Sequence, residues 1–114
     1  MTILYGIKNC DSVKKAKKWL EQANIPYQFH DFRSDGFSAE LLQELLTFTD
    51  LSALLNKRST TFRNLSDEIK SNLTDEVITE IILAQPTLIK RPLLKHNQAL
   101  LVGFKDSQYQ QAFI

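Results

Sequence analysis

Within its first 32 residues the chain sets down a strand pattern, a helix pattern and a second strand pattern, and few folds accept that order. Thr2-Ile3-Leu4-Tyr5-Gly6 is β-branched and aromatic and ends at a glycine, so it reads as a buried strand. Over residues 11–23, Val13, Ala16, Leu20 and Ala23 recur at three- and four-residue spacing, while Lys14, Lys15, Lys17 and Lys18 lie largely off that stripe. This is the pattern of an amphipathic helix. Asn24-Ile25-Pro26 stops it, because proline lacks the N–H a helix needs and pushes its predecessor toward extended geometry. Tyr27-Gln28-Phe29-His30-Asp31-Phe32 then alternates apolar and polar like a strand. The three patterns make a βαβ unit, which requires parallel strands and a right-handed crossover.

A helical block follows. Ser38 is a good cap for a helix carrying Leu41, Leu42, Leu45, Leu46 and Phe48, and Asp50 for one carrying Leu51, Leu54 and Leu55. The polar stretch 56–63 reads as a functional or capping loop. The run 66–84 reads as helical, best from Thr74-Asp75-Glu76 onward, with Val77, Ile78, Ile81 and Ile82 as its core face. Gln85-Pro86 ends it, and Thr87-Leu88-Ile89 resumes strand character. Leu93-Leu94, a polar turn over 95–98, and Ala99-Leu100-Leu101-Val102 read as a hairpin closing at Gly103. Asp106 or Ser107 caps a terminal helix. The expected architecture is α/β: a single domain over 1–114 whose βαβ-ββα core spans about 1–34 and 86–114. A helical insertion over about 38–84 separates its second and third strands.

A length of 114 residues suits one domain. A net charge of +1 supplies no dense basic field, so neither a nucleic-acid nor an acidic-membrane partner is expected. Nothing in Met1–Gly6 resembles a signal peptide, and no apolar run approaches the roughly 20 residues that span a bilayer, so a cytoplasmic location is expected. The single cysteine excludes a disulfide-stapled scaffold and an internal dithiol couple.

That cysteine, Cys10, falls between the first strand and the first helix. Unpaired backbone N–H groups and the helix dipole favour negative charge there, so a thiolate is stabilised and becomes a nucleophile. Lys8 adds to this field. Asp11 opposes it as a neighbouring anion, unless as the helix cap it turns its carboxylate onto the backbone. A free cysteine is equally at home as a small buried apolar residue.

Arg58, Arg63 and Arg91 are candidate cations for an anionic substrate, because guanidinium forks match oxyanions and carboxylates. Arg58 and Arg63 also fit a plain solvated loop. Arg91 precedes Pro92 at a strand mouth, where a cis peptide bond is a natural feature. His30 and His96 have no ligand-like spacing to Cys10, so no metal site is expected and ordinary polar roles suffice. The lysine face of the first helix reads as solvated, or as a surface for an acidic partner or glutathione carboxylates.

Four segments in order, Tyr5-Gly6-Ile7-Lys8-Asn9-Cys10-Asp11-Ser12-Val13-Lys14-Lys15-Ala16, Lys57-Arg58-Ser59-Thr60-Thr61-Phe62-Arg63, Pro86-Thr87-Leu88-Ile89-Lys90-Arg91-Pro92-Leu93-Leu94 and Leu101-Val102-Gly103-Phe104, together resemble the ArsC/Spx family in its YffB branch. The resemblance implies a thioredoxin-like (glutaredoxin-like) core with a helical insertion and a cis Pro92. It implies Cys10 as nucleophile and Arg58 and Arg91 as anion-holding groups. Beside the resemblance, Lys8 stands with those two arginines as an anion-binding candidate, and Asn9, Arg63 and Lys105 are further site candidates. In the family's arsenate reductases a helix-start cysteine attacks arsenate, arginines hold the oxyanion, and glutathione with glutaredoxin completes the reduction.

Two departures argue against arsenate. The histidine expected four residues before the cysteine is Gly6, and the third arginine expected after the last strand is missing from Gly103-Phe104-Lys105. A preorganised charged donor is worth about 2–4 kcal/mol in a transition state, which Lys105 only partly replaces. The family's Spx regulators switch through a Cys-x-x-Cys pair and contact RNA polymerase, and here the second position is Val13. The expected function is therefore a glutathione-dependent monothiol reductase with no tightly bound cofactor. Glutathione or glutaredoxin is its expected partner, a Spx-like non-catalytic binding module the alternative, and arsenate reduction proper the second.

Overall fold

The computed structural model describes residues 2–113. Along the chain lie β1 (Thr2–Gly6), α1 (Asp11–Gln22), β2 (Gln28–Asp31), α2 (Ala39–Leu45), α3 (Leu51–Leu54), α4 (Thr60–Arg63), α5 (Asp67–Lys70), α6 (Asp75–Ala84), β3 (Leu93–His96), β4 (Ala99–Val102) and α7 (Asp106–Phe113). They form two compact units. One runs from the N-terminus to Gly36 and resumes at Arg91, and the other is Phe37–Lys90.

The first unit is a four-stranded sheet in the order β2-β1-β3-β4, with helices α1 and α7. β1 and β2 are parallel, with Leu4 opposite Phe29 and Gly6 opposite Asp31. β3 is antiparallel to β1, with Tyr5 opposite Leu93, and pairs antiparallel with β4. This is the thioredoxin-like βαβ-ββα core. The hairpin turn is two residues long rather than four. Asn97 takes the left-handed conformation (φ 55°) that such turns demand, which frees Lys95 and His96 to extend β3. Strand alternation turns Leu4 and Leu94 to one face, where they join Val13, Ala16, Leu20 and Tyr109 in a fully buried cluster. Trp19 meets Tyr109 edge-on at 5.4 Å, and Phe104 does so at 4.8 Å, which ties α7 to α1.

Packing is tight at Gly6. A Cβ placed there would lie 2.6 Å from Cγ2 of Val13, a stiff β-branched side chain with no exposed surface. Glycine is what lets α1 seat directly on the end of β1.

In the second unit the caps read from sequence, Ser38 and Asp50, are in place. Ser38 accepts the Leu41 N–H and Asp50 the Ala53 N–H, and Thr74, read only as part of a helix start, caps its helix through the Val77 N–H. Three elements differ from the sequence expectation. The run 66–84 is two helices, because Ser71 and Asn72 end α5 and the Thr74 cap opens α6 anew. The polar stretch 56–63 is not all loop: Ser59 caps α4 through the Phe62 N–H, and Phe62 is buried. Pro86–Leu88 is a 3-10 turn, and Ile89 makes one antiparallel bridge to Leu55 instead of joining the sheet. Asn56 N–H to Leu88 C=O (2.7 Å) and Lys90 N–H to Leu54 C=O (2.8 Å) complete that bridge. No helix among the described residues is long and apolar enough to cross a membrane.

The Gly6 contact makes a sharp expectation. Gly6→Ala should destabilise the protein by about 1–3 kcal/mol through overpacking, seen as a lower melting midpoint. On a Val13→Ala background the same substitution should cost measurably less, because the clashing methyl is gone.

Candidate functional site

The strand directions gather one end of the first unit's sheet. β1 ends there at Gly6, β2 ends at Asp31, β3 begins after Pro92, and β4 leaves at Gly103, whose N–H donates to the Pro92 carbonyl at 2.8 Å. α1 starts from this same end, at Cys10. The Arg91–Pro92 peptide bond is cis. Topology alone therefore brings Lys8, Asn9, Cys10, Arg91 and Pro92 to one edge of the fold, and Lys105 follows two residues after Gly103.

Cys10 is the N-cap residue of α1, with extended backbone angles (φ −117°, ψ 126°), and its carbonyl accepts the Lys14 N–H at 3.0 Å. Asp11, offered by the sequence as a cap, is instead the first helical residue. The cysteine side chain thus occupies the place from which cap residues meet the free N–H groups of the first turn. It makes no capping hydrogen bond. Cys10 is half-buried against the Leu4/Val13 cluster. Val13, three residues on, is fully buried in that cluster.

Lys8, Asn9 and Lys105 are exposed, and Arg91 is half-buried. Arg58 and Arg63 belong to the second unit. Arg58 is exposed ahead of α4, its backbone N–H held by Asn56 Oδ1, and Arg63 is exposed in the last turn of α4. The lysine face of α1 is mainly solvated, except that the Lys17 ammonium sits 3.7 Å over the Phe29 ring. Both histidines have structural work. His30 donates from Nε2 to the Gly36 carbonyl (2.8 Å), and His96 pairs through Nδ1 with Thr2 Oγ1 (2.8 Å) and packs on Phe113. Among the described residues no group of three or more metal-ligating side chains occurs.

The residue that sequence reasoning passed over is Asp31. Its side chain is buried at the end of β2, where Oδ2 accepts the Lys8 N–H (3.1 Å) and Oδ1 accepts the N–H groups of Arg33 (2.7 Å) and Ser34 (3.2 Å). Its own N–H donates to Asp35 Oδ2 (2.9 Å). The bonds to residues 33 and 34 are the Asx-turn chemistry that an Asp ahead of Arg33-Ser34-Asp35-Gly36 signals. The bond to Lys8 crosses 23 positions of sequence and leaves no local trace. Burial pushes the Asp31 carboxyl upward, but the N–H groups of Arg33, Ser34 and Lys8 and the Arg33 charge outweigh it and hold its pKa below the ordinary 3.8.

A thioredoxin-like sheet with a single thiol at the start of its first helix and a cis-proline at the same sheet end defines the class of protein. The particular family follows from comparison: the ArsC family profile matches residues 5–112, and the chain belongs to the ArsC family. An uncharacterized protein of Haemophilus influenzae is 44% identical over 113 residues, 99% of each chain. The global transcriptional regulator Spx of Listeria innocua is 30% identical over 113 residues, 97% of this chain and 86% of the regulator. A solved YFFB protein superposes with a TM-score of 0.92 over the whole of both chains at 39% identity. An arsenate reductase (ArsC) related protein from Brucella melitensis is 45% identical over 98% of this chain and 93% of its own, with a TM-score of 0.81.

The Asp31 bonds set an acid dependence. Because its folded-state pKa is lowered, its contribution to stability is fully present above the ordinary carboxylate value and is lost as pH falls through the folded value. Asp31→Asn should destabilise the protein at neutral pH by on the order of 2 kcal/mol, the worth of charge-assisted bonds to the backbone, seen as a lower melting midpoint. Thermal unfolding between pH 7 and pH 2 should show a flatter acid limb in this variant than in the wild type.

Proposed function

We propose that the protein is a monothiol reductase of glutathione mixed disulfides, with Cys10 as its nucleophile. The observation that carries this reading is the placing of Cys10: the N-cap of α1, with its side chain uncommitted to capping and Val13 buried at the next position where a second cysteine would stand. A thiol so placed stands at the free N–H groups of a helix start and has no neighbour within the chain to resolve an adduct.

In the proposed cycle, the Cys10 thiolate attacks the glutathione sulfur of a mixed disulfide. The old S–S bond breaks, the substrate leaves as a thiolate and takes a proton, and Cys10 carries glutathione in a new S–S bond. A second glutathione thiolate then attacks the bound glutathione sulfur and leaves as glutathione disulfide, returning Cys10 as a thiolate. The carboxylates of glutathione suit the guanidinium of Arg91, with Lys8, Asn9 and Lys105 of the same unit as further candidates for holding them.

Arsenate reduction fits less well. The family resemblance expects a histidine at position 6, and Val13 Cγ2 fills the place where any Cβ there would go. A second reading, a non-catalytic protein-binding module, draws on the similarity to Spx along nearly the whole chain. In that case a partner captured by the wild type should be captured equally by Cys10→Ser.

The reductase reading is tested by glutathione-dependent reduction of a small glutathione mixed disulfide, coupled to glutathione reductase. Cys10→Ser should lose activity by about 100-fold or more, and Arg91→Ala should raise the KM for the glutathionylated substrate by about tenfold with a smaller effect on kcat. Full activity in Cys10→Ser would overturn the mechanism.

A further inference from the structure

We propose that Asp31 is a positioning residue for Cys10: by holding the Lys8 N–H it fixes the loop between β1 and α1, and with it the direction from which the Cys10 thiol is presented. This rests on the reading of Cys10 as nucleophile.

The loop has only four residues, 7–10, between two fixed points. At its start Gly6 is paired with Asp31 in the ladder and its carbonyl accepts the Phe32 N–H at 2.8 Å. Past its end, Val13 is locked into the core by its contact with Gly6. Ile7 is buried, whereas Lys8 and Asn9 are exposed in a turn, the sort of segment that opens readily when nothing ties it down. The tie is the Asp31 carboxylate, through Lys8 N–H at 3.1 Å. The same carboxylate grips Arg33 and Ser34, so the loop ahead of Cys10 is braced against the turn after β2.

Two features separate positioning from chemistry. Both Asp31 oxygens are engaged by backbone N–H groups and the side chain is 6% exposed, so it is not placed to serve as a general base. Its charge also disfavours an anion at this end of the sheet. The benefit of a carboxylate here is therefore geometric: three N–H groups satisfied from one rigid centre.

Asp31→Asn tests the inference, because an amide presents a donor on one side and so turns away either Lys8 or the pair Arg33 and Ser34. Asp35→Asn is the control: it removes a carboxylate charge from the same turn, keeps an amide oxygen to accept the Asp31 N–H, and leaves the Lys8 bond intact. In Asp31→Asn, amide hydrogen exchange at Lys8 should quicken at least tenfold and the rate of mixed-disulfide formation with glutathione disulfide should fall about tenfold, with both within twofold of wild type in Asp35→Asn. Asp31→Glu keeps the charge and displaces the oxygens. It should show the same direction of change and carries the test if Asp31→Asn does not fold. Unchanged Lys8 exchange, or faster exchange with an unchanged rate in a folded Asp31 variant, would overturn the proposal. If wild-type protein does not react with glutathione disulfide, the functional reading fails, and the positioning role is read instead from alkylation of Cys10 by iodoacetamide. A change in Asp31→Asn but not Asp35→Asn supports it, and no difference between them overturns it.

Discussion

The first unit depends on how closely α1 lies on β1. Residue 6 carries no side chain, so the Val13 methyl groups fill the space a Cβ would need, and the helix seats at the end of the strand instead of above it. From that contact follow the burial of Val13, Ala16 and Leu20 against Leu4 and Leu94, and the docking of Tyr109 beside them. The same contact makes the connection from strand to helix short, so that the residue ending the loop, Cys10, becomes the cap of the helix. One glycine thus shapes the packing and the site together.

A short connection needs an anchor, and the sheet provides it from the neighbouring strand. Asp31 stands opposite Gly6 in register, so its carboxylate is carried to the loop by the ladder itself. The order β2-β1-β3-β4 then brings the cis Arg91–Pro92 segment to the same end from the other side of β1. The chemistry available is that of a lone thiol at a helix start, with Lys8 and Arg91 at the same end of the sheet. With Val13 in the core where a second cysteine would stand, any disulfide that Cys10 forms must be resolved from outside the chain.

Much of this could be read from the residues, and the exceptions have physical causes. The βαβ unit was legible because α1 carries a clean apolar stripe and Pro26 ends its segment. The caps Ser38 and Asp50 were legible because each precedes an apolar run, whereas Thr74 was legible as a helix start and not as its cap. Helix α4 was not: four residues rich in threonine have little intrinsic helix preference, and it is held by the Ser59 cap and the burial of Phe62. The cap of α1 reads one residue late from sequence, because Asp is a strong cap type and Cys is not. Asp31 was invisible because its partner is set by strand register, and no local pattern in Lys8-Asn9-Cys10 points to it. Arg58, Arg63 and Arg91 were legible as candidate cations from guanidinium chemistry, but only the family resemblance gave Arg58 and Arg91 an anion-holding role, since isolated arginines carry no spacing signal.

Trapping the adduct tests most directly whether Cys10 is a nucleophile that takes up glutathione. The wild-type protein is mixed with a glutathionylated peptide and quenched by acid within the first turnover. Intact-mass and fragment analysis then identify what Cys10 carries. Glutathione in disulfide linkage to Cys10, discharged when free glutathione is added before the quench, is the expected result. Peptide on Cys10, or an unmodified thiol while the peptide is reduced, would contradict it.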